Sequence, residues 1–211
     1  MLWIALAAQL SAPVPTNLAD WFVYDDFPAY LIDREPGVWA VGVRVTVGSD
    51  GRIQRCEVES SSGEARLDEL TCRKVRESAT FRPAMSAGGS AAPGVYRTYI
   101  AWDVTQAPTP TSRVSNADLN LSVASLPSGI ASPAAVRVMF AVDQQGRMTS
   151  CAAEPTQPFE QVAKDPALVA VACDQLMASY KPVPAKDSTG NPIPSVQDAI
   201  VRFLLASQAA R

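Results

Sequence analysis

The chain has 211 residues, 47% of them hydrophobic and 18% charged, enough apolar material for packed cores and a length that suits one large or two small domains. A formal net charge of -3 supplies no basic stripe to displace phosphate counterions, so nucleic acid is not an expected partner. The absence of histidine excludes triads built on an imidazole base and histidine-ligated zinc, and neither a metal nor another cofactor is expected.

Leu2 to Ala8 is a short apolar run followed by Ser11-Ala12-Pro13. It falls short of the about 20 residues that a permanent membrane helix needs, so no permanent span is expected. With small residues near a cleavage point, residues 1–16 read as a signal peptide, although no basic residues precede the run. An N-terminal core strand is the alternative.

A first unit is expected over residues 17–104. Leu18 to Ile32 reads as a short helix broken at Pro28. Val41, Val43, Val45 and Val47 alternate ahead of Asp50-Gly51-Arg52-Ile53, the pattern of two strands joined by a glycine turn, so Val38 to Val47 and Ile53 to Ser60 form a predicted hairpin. Ser62-Gly63-Glu64 then introduces Leu67, Leu70, Val75 and Ala79 at roughly helical spacing, and Phe81-Arg82-Pro83 stops the helix. Val95 to Asp103 closes the unit as a third strand.

Residues 105–116, with Pro108 and Pro110 among threonines, read as an extended linker. Beyond it the pattern returns over residues 117–206. Ala117 to Leu126 is expected to include a short helix. Val136, Val138, Phe140 and Val142 alternate ahead of Gln145-Gly146-Arg147-Met148, at a constant offset of 95 from the first set. Asp165-Pro166 caps a helix through Leu168, Val171, Ala172 and Leu176, which Pro182 and Pro184 close, and Ser195 to Leu204 is the last strand. Residues 207–211 are a tail. The expected fold is therefore α+β: two tandem modules, each a three-stranded antiparallel sheet with helices on one face, in the order strand, strand, helix, strand after a short helix.

The Phe27-Pro28-Ala29 segment, the strand Val41 to Val47, Asp50-Gly51-Arg52-Ile53, Val58 to Gly63, Leu67-Asp68 and Phe81-Arg82-Pro83-Ala84 come in an order that resembles the TonB C-terminal domain family. The second unit resembles a degenerate copy. The resemblance implies a periplasmic protein, not an enzyme, that binds an extended peptide of an outer-membrane transporter by strand addition, in association with energy-dependent uptake. A non-transducing envelope scaffold or protein-interaction module, including self-association, is the other reading. The partner-binding edge so implied is the third strand, with Tyr96, Arg97, Thr98, Tyr99, Ile100 and Trp102, where unpaired N–H and C=O groups would receive the peptide; Ile100 and Trp102 are also expected to pack on the helix.

Cys56 on the second strand and Cys72 on the helix have counterparts in Cys151 and Cys173. Each pair can bridge strand to helix, and disulfides within each unit fit an oxidising compartment; four buried free thiols are the alternative. Asp25-Asp26, Asp68-Glu69 and Ser60 to Gly63 are the remaining candidates for chemistry. Adjacent carboxylates on a helix do not face one another, and the serine run has neither a histidine nor a nucleophile elbow, so it reads as a turn before the helix.

Overall fold

The computed structural model describes residues 10–32, 39–103, 105–111, 116–154 and 163–206. Alternating valines place Trp39–Val47 (β1) against Ile53–Ser60 (β2) as an antiparallel hairpin, with Val41, Val43, Val45 and Val47 fully buried on one face. Helix Ala65–Ser78 (α1) lies on that face through Leu67, Thr71, Cys72 and Val75, which at i, i+4, i+5 and i+8 share one stripe. Gly94–Asp103 (β3) returns antiparallel along β1 from Val47↔Gly94 to Trp39↔Trp102.

Strands Gln106–Thr111 (β4) and Leu119–Val123 (β5) follow. The order hairpin, helix, strand then recurs as Ala134–Val142 (β6), Met148–Ala153 (β7), Pro166–Ser179 (α2) and Ser195–Leu205 (β8). The Asp165 carboxylate accepts from the N–H groups of Ala167 and Leu168 at 2.9 and 3.1 Å, and Pro166 supplies the preset first helical residue. Leu168, Ala172 and Leu176 are the buried stripe of α2, whereas Val171, expected on it, is 43% exposed because it lies to one side of the i, i+4 row.

At both hairpin turns a glycine takes a positive φ, 80° at Gly51 and 78° at Gly146, which L side chains rarely adopt. Space matters there as well. A Cβ at Gly51 would strike the carbonyl oxygen of Phe81, and one at Gly146 would sit 3.1 Å from Pro184. The glycine turn and the aromatic-basic-proline segment after each helix are therefore in contact, which explains why the two motifs travel together.

Several expectations are corrected. The two separate three-stranded sheets are one eight-stranded mixed sheet, ordered β7-β6-β8-β3-β1-β2, with β4 on β3 and β5 on β8. The join is a parallel pairing of β3 with β8 at Gly94↔Val196. On β3 the residues facing α1 are Tyr96, Ile100 and Trp102, in phase with Gly94; on β8 those facing α2 are Ala199, Val201 and Phe203, out of phase with Val196. Side chains alternate across a strand, so α1 and α2 lie on opposite faces of the sheet. The expected linker is corrected in part, since 106–111 is a strand; 112–115 lies outside the described residues. The short helix expected in Ala117 to Leu126 is instead β5, because Leu119, Leu121 and Val123 alternate onto the core beneath α2. Leu18 to Ile32 does hold short helical turns, at Leu18–Asp20, Tyr24–Asp26 and Ala29–Ile32.

The expected leader divides. Residues 1–9 lie outside the described residues, but 10–16 belong to the fold. Leu10 and Ala12 are buried with Ala84, Met139 and Val196 in the cluster where the halves meet, Ser11 exchanges backbone hydrogen bonds with Met85, and Val14–Pro15 pairs with Phe81–Arg82. Cleavage after residue 16 would remove these contacts.

Candidate functional site

The third strand of the first half is the element on which the sequence places partner binding. Its even residues face inward. Tyr96 meets Trp21 and Phe81 edge-on at centroid distances of 5.9 and 5.3 Å; Ile100 and Trp102 are fully buried, and Trp102 Nε1 donates to Thr71 Oγ1 at 3.0 Å. These side chains hold the strand in place and leave its backbone edge as the group that could meet a partner. Arg97 and Tyr99 point to the opposite face, half-buried.

That edge is already partnered, which corrects the expectation of unpaired N–H and C=O groups along it. β4 runs antiparallel to it through Tyr99↔Thr111, Ile100↔Pro110, Ala101↔Thr109 and Asp103↔Gln106, with an irregularity between Ala101 and Asp103. Thr98 Oγ1 donates to the Thr111 carbonyl at 3.1 Å. At the other end only Gly94 pairs with β8, so β3 and β8 diverge from one point. A Cβ at Gly94 would lie 2.6 Å from both Ala84 Cβ and Pro13 Cγ, which makes this approach one for glycine.

Asp118 fills the wedge between the diverging strands. One of its oxygens accepts from Arg97 Nη1 at 2.6 Å, the other from the Ile200 N–H at 2.9 Å, while its own N–H donates to the Ile200 carbonyl at 2.8 Å. Arg97 also donates from Nε to Glu59 at 2.8 Å. Burial works against the charge on Arg97, but the Glu59 hydrogen bond and the Asp118 and Asp198 carboxylates outweigh it, and the guanidinium titrates above its ordinary range. Burial works against the charge on Arg44 as well, and there it prevails, so its pKa is lowered even though Glu57 stands 3.6 Å away; its Nη2 donates to Val183 O at 2.7 Å and so ties the first half to the loop after α2. Burial, then the Asp118 charge, pushes the Tyr180 phenol up.

The cysteines are paired within each half. Cys56 bonds Cys72 and Cys151 bonds Cys173, each at a Cα separation of 5.6 Å between strand and helix. Of the other candidates, Asp68 accepts from Ser61 Oγ, Ser62 Oγ and Ser62 N, so the serine run and this carboxylate bind each other at the start of α1. Asp26 pairs with Lys74 at 2.8 Å. Among the described residues no group of carboxylates or thiols is arranged to hold a metal, and no helix is long and apolar enough to cross a membrane.

Sequence reasoning missed β4, β5 and Asp118. Signals existed for β5 in the alternation Leu119, Leu121, Val123, and for β4 in its threonines, which favour strands; nothing in the sequence marks Asp118, whose role depends on the Ile200 backbone, 82 residues further along the chain.

Residues 40–103 match the family model described as the Gram-negative bacterial TonB protein C-terminal. The match takes in β1, β2, α1 and β3 and ends on the last residue of β3. That family is a non-enzymatic protein-interaction domain, periplasmic in Gram-negative bacteria, and the two disulfides fit an exported chain. No curated protein and no solved structure matches the chain.

Proposed function

We propose that this is a TonB-like periplasmic protein whose β3 edge takes an extended peptide from an outer-membrane transporter, in association with energy-dependent uptake. The observation that carries the reading is that this edge, the last element of the matched segment, does accept a strand: residues 106–111 lie along it as one. A sheet edge recognises main chain rather than a particular sequence, so an added peptide gains ladder hydrogen bonds while its alternate side chains set specificity. Residues 117–206 read as a second, degenerate copy of the same module, on the strength of the recurring order hairpin, helix, strand and the second strand-to-helix disulfide.

A second reading, a scaffold that does not transduce energy, is favoured by one specific observation. The edge of β8 is occupied along Val201 to Leu205 by β5, so the second half spends its own edge inside the chain.

The test is site-specific photo-cross-linking in outer-membrane extract, with the reactive residue at Thr109, exposed beside the edge, or at Glu77, exposed on α1. The expected result is a cross-link from Thr109, and not from Glu77, to an extended periplasmic segment of a transporter, identified by peptide mapping. Cross-links only between copies of this chain would replace the transport reading with the scaffold.

A further inference from the structure

The two third strands are covered in different ways. β5 seals β8 with apolar chemistry: Leu119, Leu121 and Val123 all pack on the core, five residues pair in register, and Asp118 anchors its start through two hydrogen bonds to the Ile200 backbone. β4 covers β3 with little of this. Pro108 is buried and Gln106, Thr109 and Thr111 are exposed, whereas β5, none of whose residues is fully buried, sets three half-buried apolar side chains against the core. Two of the six are prolines, which have no N–H to give to a ladder and are tolerated in strands chiefly at edges. Beyond its backbone pairing, β4 is tied to β3 by the Thr98 to Thr111 bond at 3.1 Å and a long one from Thr111 Oγ1 to the Tyr99 carbonyl at 3.4 Å.

The neighbourhood of β4 includes both aromatic and acidic side chains. The strand packs against the Tyr24–Asp26 turn, beside which Tyr24, Asp25, Phe27 and Ile32 line a hollow. Tyr24 and Ile32 in its lining are 58% and 59% exposed, and exposed apolar surface of this kind is a candidate contact site.

We propose that β4 is a removable cover, an internal stand-in for the partner peptide, and that the groove it vacates, the β3 edge from Tyr99 to Asp103 together with the Tyr24, Phe27 and Ile32 hollow, takes an extended peptide that has β-branched residues where β4 has prolines and an apolar side chain for the hollow. This rests on the reading of β3 as the peptide-accepting edge and adds to it a mode of control. Ile100↔Pro110 lies between the Tyr99↔Thr111 and Ala101↔Thr109 pairs, so proline takes the non-hydrogen-bonded position and a displacing peptide gains through its side chains rather than through extra ladder bonds, while β4 competes at the millimolar effective concentration of a short tether. The apparent affinity of the edge is its intrinsic affinity reduced by the fraction of molecules with the cover open. A cover closed in roughly 99% of molecules would thus weaken binding about 100-fold.

Hydrogen exchange read by mass spectrometry tests the cover without any ligand. The segment 105–111 should exchange at least ~100-fold faster than 119–123, the behaviour of a local opening; equal protection of the two segments overturns the proposal. The probe for binding is a labelled synthetic peptide of residues 105–112 with valine in place of both prolines. Against the full chain, Pro108→Asp, which puts a charge at the one buried position of β4, should raise its affinity at least ~10-fold. The pair Ala101→Cys with Thr109→Cys joins directly opposed residues and should abolish binding once oxidised. Equal binding to wild-type and cross-linked protein sinks the cover but leaves a peptide-binding protein. Fast exchange of 105–111 with no binding by any variant sinks the acceptor edge itself, and the cover's role with it.

Discussion

Removal of Asp118 is the sharpest probe of how the two halves are held together. Its side chain is 7% exposed and that of Arg97 15%, so their contact is largely out of water. Breaking a buried ion pair from one side costs roughly 3–5 kcal/mol. The low end applies here, because Arg97 keeps Glu59 at 2.8 Å, a carboxylate that is itself 37% exposed. Asp118→Ala also takes the acceptor from the Ile200 N–H, a loss of about 1 kcal/mol. The sum, about 4 kcal/mol, corresponds at about 2–4 °C per kcal/mol for a chain of this size to a fall in Tm of roughly 8–16 °C. Asp118→Asn retains an oxygen for Ile200 and loses only the charge, so it should cost about half as much. Scanning calorimetry of wild type, both variants, Arg97→Met and the double variant Arg97→Met with Asp118→Ala gives the ordering and the coupling, expected at about 1–3 kcal/mol. A fall below 2 °C for Asp118→Ala, or an Asn variant no better than the Ala one, would refute the wedge as the joint that holds β3 to β8.

Two further outcomes follow from the same geometry. The disulfides close segments of 16 and 22 residues, lengths at which loop entropy gives about 3 kcal/mol each with little difference between them. Paired alanine substitution of either should therefore lower the urea midpoint by a similar amount, and a loss confined to one bond contradicts the entropic account. Tyr180 titrates above its ordinary range when folded, so the stability it gives is present below the unfolded tyrosine pKa of about 10 and is lost as pH rises through the folded value. Between pH 9 and 11, Tyr180→Phe should show a flatter decline in urea midpoint than wild type; identical slopes would remove Tyr180 from the alkaline transition.

What could be read from the sequence was what neighbouring residues decide. The hairpins follow from valines two apart around Asp50-Gly51 and their counterparts around Gly146, and Ile53–Ser60 is found with the predicted boundaries. The helix at Asp165-Pro166 starts where its cap places it, and the cysteine pairs lie where strand and helix come together. What escaped was set by neighbours distant in the chain. Pro108 and Pro110 argue against a strand unless a sheet edge waits beside them, and β3 offers one. The contacts of Leu10 and Ala12 with Met139 and Val196, on the reverse face of the second half, likewise lie beyond any local pattern.

That reverse face explains why neither third strand stays open. Because Gly94 and Val196 pair in parallel and out of phase with their cores, each half presents its helix-free face on the side of the other's helix. The loops that follow the helices fill those faces: Ala84 lies against Met139 and Val196, and the Val183 carbonyl meets Arg44. Pairing at a single residue leaves twisted strands to splay apart, and each then carries a length of backbone edge that its own half cannot satisfy. Unpaired main chain of this kind invites association with any extended segment, so the chain supplies its own. The β8 edge receives an apolar strand fixed by a buried carboxylate, which makes it structural. The β3 edge, within the segment that matches a protein-interaction family, receives a Pro/Thr strand with one buried side chain. On the proposed reading, the segment that protects the β3 edge also leaves it for the partner, and a strand tied by one buried side chain and two side-chain bonds is suited to that.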